Sequence, residues 1–235
     1  MTSRSLQIEQ KEWQLTPLGE RALVLEPIAE EPGLSVIHKI CFLIEQSDLD
    51  GLMDVVPTYK CIALLFKEPI TDTGSITAKL SEVFEHAGDY TPRNDLIRVP
   101  VCYELGLDWN SMESQTGLKK EKIIQIHSGT TYTLAMMGFI PGFLYLEGLD
   151  KKIICPRKSE PRTKVPAGSV GIGGDQTGVY SLESPGGWQI IGRTPLSFFN
   201  KDQDPPVSVS LGDRIRFEPI SEEEFKKMES GGNSW

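Results

Sequence analysis

Apolar and polar positions follow two different periods along this chain, and the change of period divides it. In residues 33–47 (GLSVIHKICFLIEQS), Leu34, Ile37, Ile40, Cys41 and Ile44 recur at helical spacing, which predicts one buried helix face. Residues 55–66 (VVPTYKCIALLF) read as one strand, with Pro57 near its start, where a missing N–H costs least. Residues 71–86 return to the helical period, with Thr73 or Ser75 placed to cap and Ile76, Leu80, Val83 and Phe84 facing inward. Ahead of these, WQLTPLGERALVL (13–25) contains a turn signal followed by a short strand-like run. Strand, helix, strand, helix within ninety residues predicts a small α/β domain over residues 1–90.

Residues 86–95 (HAGDYTPRND) are polar and turn-rich, and they mark a boundary. Beyond it, over residues 91–235, the pattern shortens. IRVPVCYE predicts an entering strand. Residues 116–127 predict one short helix with Thr116 as cap, and residues 131–139 a strand. From 141 to 195 short apolar pieces alternate with Gly and Pro turns, as in a β-sandwich or barrel. DRIRFEPI alternates as a last strand. SEEEFKKMES follows as a helix, acidic at its start and basic later, as the helix dipole favours. The predicted class is α+β.

Composition narrows the function. With 39% hydrophobic and 24% charged residues, the 235-residue chain can bury a substantial core. A net charge of -9 argues against general nucleic-acid binding, which needs a basic face. No apolar run approaches the ~18 residues of a membrane helix. The N-terminus has no secretory h-region, and Cys41, Cys61, Cys102 and Cys155 form no C-x-x-C pair. The expectation is a cytoplasmic protein with reduced thiols.

Common chemical motifs fail. GIGGDQTG lacks the Lys-Ser/Thr of a phosphate loop, and Gln176 stands where the third glycine of G-x-G-x-x-G belongs. AGSVG misses the nucleophile elbow by one glycine. His38, His86 and His127 are too scattered for a metal site, and no bound metal is predicted. His127 falls near the end of a predicted helix, where the dipole favours an imidazolium. It reads either as a proton carrier or as a structural histidine bonding a carbonyl.

Residues 156–195 carry the stronger signal, with 8 of the chain's 22 glycines, 5 of its 16 prolines and a basic excess inside an acidic protein. Arg157 and Arg162 each follow a proline, which stiffens the backbone that presents them. Guanidinium groups suit bidentate capture of carboxylate or phosphate. The competing reading is a solvated loop whose arginines pair with Glu147, Glu160 or Glu183. Phe139, Phe143, Tyr145 and Trp188 could line an apolar groove, with Tyr145 and Tyr180 offering hydroxyls, or could simply pack a barrel.

MMGFIPGFLYLEGLD, PRKSEPRTKVPAGSVGIGGDQTG and SPGGWQIIGRTPL together resemble the Kip-type, allophanate-hydrolase-subunit-1 family, which includes the B subunits of 5-oxoprolinases, over essentially the whole chain. The resemblance implies an N-terminal α/β domain and a C-terminal cyclophilin-like β-barrel. It implies a subunit of an ATP-dependent 5-oxoprolinase, opening 5-oxo-L-proline to L-glutamate, active with a second cyclophilin-like-barrel subunit and a third subunit. ATP would be co-substrate, with Mg²⁺ as its counter-ion. The alternative it implies is an inhibitor of a sensor histidine kinase, docking on its dimerisation helices. Under the enzyme reading His127, Arg157 and Arg162 are the catalytic candidates. Lys164, Gln176, Thr177, Tyr180, Arg193, Phe143, Tyr145 and Trp188 are the binding candidates. The chain departs from the family pattern at Cys102–Leu118, which looks shortened, and at Ser181-Leu182, where a proline is usual. A peptidyl-prolyl isomerase rests on fold analogy alone.

Overall fold

The computed structural model describes residues 2–85, 90–92 and 94–231. His86 lies outside them. The chain divides into two compact units, Met1–Pro92 and Arg93–Trp235.

The first unit runs β1 (Arg4–Ile8), β2 (Lys11–Pro17), β3 (Ala22–Pro27), α1 (Leu34–Glu45), β4 (Leu52–Pro57), β5 (Ile62–Phe66) and α2 (Thr73–Glu85). Its sheet has the order β1-β2-β3-β5-β4, with every pairing antiparallel. Trp13, Leu15, Leu23, Leu25, Ile62 and Leu64 point inward from the strands and meet Ile37, Ile40, Ile44 and Leu80 of the helices. The predicted single strand over 55–66 is instead a hairpin. The Thr58 N–H donates to the Cys61 carbonyl at 2.8 Å, and the Thr58 hydroxyl accepts from the Cys61 N–H at 2.9 Å. Pro57 therefore ends one strand rather than opening another. Neither predicted cap leads α2: the Asp72 carboxylate accepts the Gly74 N–H at 2.8 Å.

The second unit begins with β6 (Leu96–Val101), a 3₁₀ turn (Tyr103–Leu105), α3 (Trp109–Thr116) and α4 (Lys120–Gly129). The strands β7 (Thr131–Met137), β8 (Leu144–Glu147), β9 (Arg162–Val165), β10 (Ser169–Gly173) and β11 (Gln176–Val179) follow. The unit closes with β12 (Ser184–Gly186), β13 (Gln189–Arg193), β14 (Arg214–Pro219) and α5 (Glu222–Ser230). The one helix predicted over 116–127 is two. Gly117 adopts φ 69°, the left-handed C-cap conformation, and Thr116 ends α3 instead of capping α4.

Seven strands form a mixed sheet in the order β13-β10-β11-β8-β7-β14-β6, with β14 and β6 parallel. The sheet curls until its edges meet. Cys102, just after β6, exchanges backbone hydrogen bonds of 2.8 and 3.0 Å with Arg193 at the end of β13. A side chain at Gly192 would collide with Val101 at this seam, so glycine permits the approach. Val99, Tyr132, Leu134, Leu146, Ile172, Val179, Ile215 and Phe217 fill the interior. Ser221 and Glu224 form a capping box that starts α5. The separate ribbon β9–β12 carries Arg162 and Lys164, and Arg157 and Lys158 lie in the loop before it. Among the described residues, no helix is long and apolar enough to cross a membrane.

Candidate functional site

A cleft of about 450 Å³ opens in the second unit, walled by Phe139, Phe143, Tyr145, Tyr180 and Trp188, with Arg157 and Lys158 at its rim. Its floor explains the glycines. A side chain at Gly173 would strike the Trp188 indole, and one at Gly178 would strike the Leu144 carbonyl. GIGGDQTG is thus the strand–turn–strand bed on which Trp188 lies, not a phosphate cradle. Phe143 meets Tyr180 edge-on at 4.8 Å and Trp188 at 5.4 Å, so the walls are mutually braced. Burial raises the Tyr180 hydroxyl pKa, which keeps it a neutral donor at physiological pH. Phe139 stands at the mouth, 62% exposed, with φ 67°, a left-handed conformation that side chains rarely adopt.

The Arg157 guanidinium lies over the Trp188 ring, 5.8 Å from its centroid. It is exposed and has no carboxylate partner among the described residues. A second, polar cleft of about 490 Å³ lies on its other side, lined by Ser111, Gln115, Ser159, Glu160 and Gln189. Arg157 therefore faces both.

Asp108, absent from the sequence-based candidates, organises this rim. One carboxylate oxygen accepts from Arg162 at 2.6 Å and Lys158 at 3.1 Å; the other accepts the Ile190 N–H at 2.7 Å. Burial alone would raise the Asp108 pKa. Arg162, the Ile190 N–H and Lys158 outweigh it and hold the carboxyl below its usual range. The Lys158 N–H also donates to the Gly187 carbonyl at 2.7 Å, and the Gln189 side-chain amide donates to the Pro156 carbonyl at 2.9 Å. The loop presenting Arg157 is clamped on both sides.

The other candidates lie elsewhere or are engaged. His127 is fully buried and is not a solvent-facing imidazolium: burial lowers its pKa to about 3. The Thr177 hydroxyl donates to the Gly171 carbonyl at 2.9 Å, so at 3.0 Å it must accept from His127 Nε2–H. Nδ1 is then the acceptor for the Tyr103 hydroxyl at 2.7 Å. The ring stacks on Phe217 at 4.6 Å. Both nitrogens are satisfied inside the core, which removes His127 from proton traffic and Thr177 from ligand binding. Arg162 is held by Asp108. Lys164 pairs with Glu183 at 3.0 Å on the surface. Arg193 donates to the Ala167 carbonyl at 2.8 Å, pairs with Glu229 at 3.4 Å and lies over Phe225, pinning α5 beside the seam. Gln176 sits in the β10–β11 hairpin, paired with Gly173, away from the lining of either cleft. The structure gathers Phe143, Tyr145, Tyr180, Trp188 and Arg157.

Residues 13–209 match the family model for the carboxyltransferase domain, subdomain C and D. The chain is 33% identical over 240 residues to the B subunit of the 5-oxoprolinase of Bacillus subtilis (strain 168), covering 94% of this chain and 98% of that protein. It is 36% identical over 209 residues to the 5-oxoprolinase B subunit of Escherichia coli O157:H7, covering 87% and 95%. The structure of the K. lactis urea amidolyase superposes with a TM-score of 0.76 at 17% identity, over 95% of this chain and 16% of that one. That last likeness is one of fold.

Proposed function

The chain belongs to the family of the carboxyltransferase domain, subdomain C and D, and on that premise we propose that it is a subunit of an ATP-dependent 5-oxoprolinase complex. Its curled sheet corresponds in this reading to a cyclophilin-like barrel. The proposed partners are a second barrel subunit and a third 5-oxoprolinase subunit. The observation that carries the reading is Arg157, unpaired at the rim of the aromatic cleft.

The chemistry suits such a cleft. A five-membered lactam is a stable amide, so its carbonyl oxygen attacks the γ-phosphoryl of ATP, releasing ADP. Water then adds at that carbon and the ring C–N bond breaks, leaving a γ-glutamyl phosphate. A second water releases inorganic phosphate and L-glutamate. This chain contributes binding: Trp188, Phe143 and Tyr180 pack against the ring's apolar face, leaving its carbonyl to the reacting water, and a cation takes the substrate's charge. ATP supplies the phosphoryl group, and its Mg²⁺ would offset the phosphate charge.

The test is to reconstitute the chain with its partner subunits and measure 5-oxoproline-dependent ATP hydrolysis. Hydrolysis in the complete complex, lost on omitting this chain, is expected. Equal rates with and without it would exclude the reading. Docking on a histidine kinase is the second reading, and a single exposed Phe139 at the cleft mouth is too small an apolar patch to favour it. Kinase autophosphorylation unchanged by excess of the chain would eliminate it.

A further inference from the structure

We infer that the aromatic cleft receives the small cyclic carboxylate of the reaction through Arg157, and that the polyphosphate of the nucleotide is held by a partner subunit. The inference rests on the 5-oxoprolinase reading and divides its two substrates between chains.

Charge pairing carries it first. Of the five basic residues in the segment 156–195, Lys158 and Arg162 are engaged by Asp108, Lys164 by Glu183 and Arg193 by Glu229. Among these described residues Arg157 alone keeps a free guanidinium. One guanidinium matches one carboxylate in a bidentate pair. A triphosphate needs several cationic donors or a cradle of backbone N–H groups.

Such a cradle is the second point. In the glycine-rich run Gly173 and Gly178 lie against the Trp188 indole, and the Gly174 N–H is taken by the Cys155 carbonyl at 2.8 Å. In the other glycine pair, Gly186 lies against the Tyr180 hydroxyl and the Gly187 carbonyl accepts from Lys158. The first run therefore presents no row of free N–H groups, and the second offers the cleft only Gly186 and Gly187, short of a polyphosphate cradle. The aromatic walls then suit a planar amide ring. An adenine would stack there equally well, so the charged end of the ligand decides, and one cation favours the monoanion. The cleft is larger than the lactam, which leaves room for a side chain delivered by the partner.

The experiment measures both substrates in the reconstituted complex, with Arg157→Lys and Arg157→Ala. The expected result is a KM for 5-oxoproline raised about tenfold or more, with the KM for ATP within about twofold of wild type. A raised KM for ATP with an unchanged KM for 5-oxoproline overturns the inference while leaving the complex a 5-oxoprolinase. If turnover is too low to measure, equilibrium dialysis of each labelled substrate against the complex gives the same decision. Retained ATP binding with lost 5-oxoproline binding supports the inference, and any other pattern overturns it. Absence of 5-oxoproline-dependent ATP hydrolysis in the wild-type complex would instead remove the underlying reading, and the inference with it.

Discussion

His127 and Arg157 are both polar side chains attached to an aromatic cluster, yet the structure treats them in opposite ways. Around His127 every capacity is met: Nδ1 accepts from Tyr103, Nε2 donates to Thr177, and the His127 carbonyl accepts from the Tyr132 hydroxyl at 3.0 Å. Around Arg157 the aromatics form a wall on one side only, and the charge is left unpaired. A saturated polar group holds a core together; an unsaturated one at a cleft retains capacity for a ligand.

The largest expected break in this comparison is His127→Ala. It removes the ring stacked on Phe217 and leaves the hydroxyls of Tyr103 and Thr177 facing a cavity. The loss should be about 3–5 kcal/mol, read by urea denaturation. Titration sharpens the same point. A histidine whose pKa is lowered from 6.5 to about 3 is neutral when folded and gains a proton on unfolding. Its contribution is fully present above pH ~6.5 and falls towards pH ~3, by up to about 1.4 kcal/mol per pH unit. A pH–stability profile flattened over that range by His127→Gln is the expected signature.

Asp108→Asn should have the next largest effect. It leaves Lys158 and Arg162 half-buried without their counter-charge and should cost about 3 kcal/mol in denaturant unfolding. Because the clamp also sets the loop, the KM for 5-oxoproline should rise in the folded variant. The Asp108 carboxyl lies below its usual range, so its contribution is present above the unfolded aspartate pKa and is lost as the pH falls through its lower folded value. The smallest effect belongs to Lys164→Ala. Its exposed pair with Glu183 is worth at most about 1 kcal/mol, and both melting temperature and activity should stay near wild type.

The split between these regions was only partly legible in the sequence. The helical stripe of α1 and the alternation of β14 are local patterns, and they emerged where the periods placed them. The Thr58–Cys61 turn was hidden because a threonine hydroxyl makes it, without Gly, Asn or Pro inside. Gly117, read as part of one helix over 116–127, in fact ends α3, and the polar text before it, WNSMESQT, buries only Met112 and shows little helical stripe. At the site, the aromatic residues and Arg157 stood out because composition is local. The engagement of Arg162 and Lys158 did not, because their partner Asp108 lies 54 and 50 positions away and is brought to them by tertiary folding. His127 misled for the same reason: a helix-end position says nothing of the sheet that buries it.

The most direct test compares two variants in one assay. Arg157→Ala and His127→Gln are each assembled with the partner subunits, checked for folded content, and assayed for 5-oxoproline-dependent ATP hydrolysis at subsaturating 5-oxoproline. The account predicts that Arg157→Ala loses about tenfold or more while remaining as stable as wild type, and that folded His127→Gln keeps its activity with reduced stability. Full activity in Arg157→Ala together with an inactive but folded His127→Gln would contradict it.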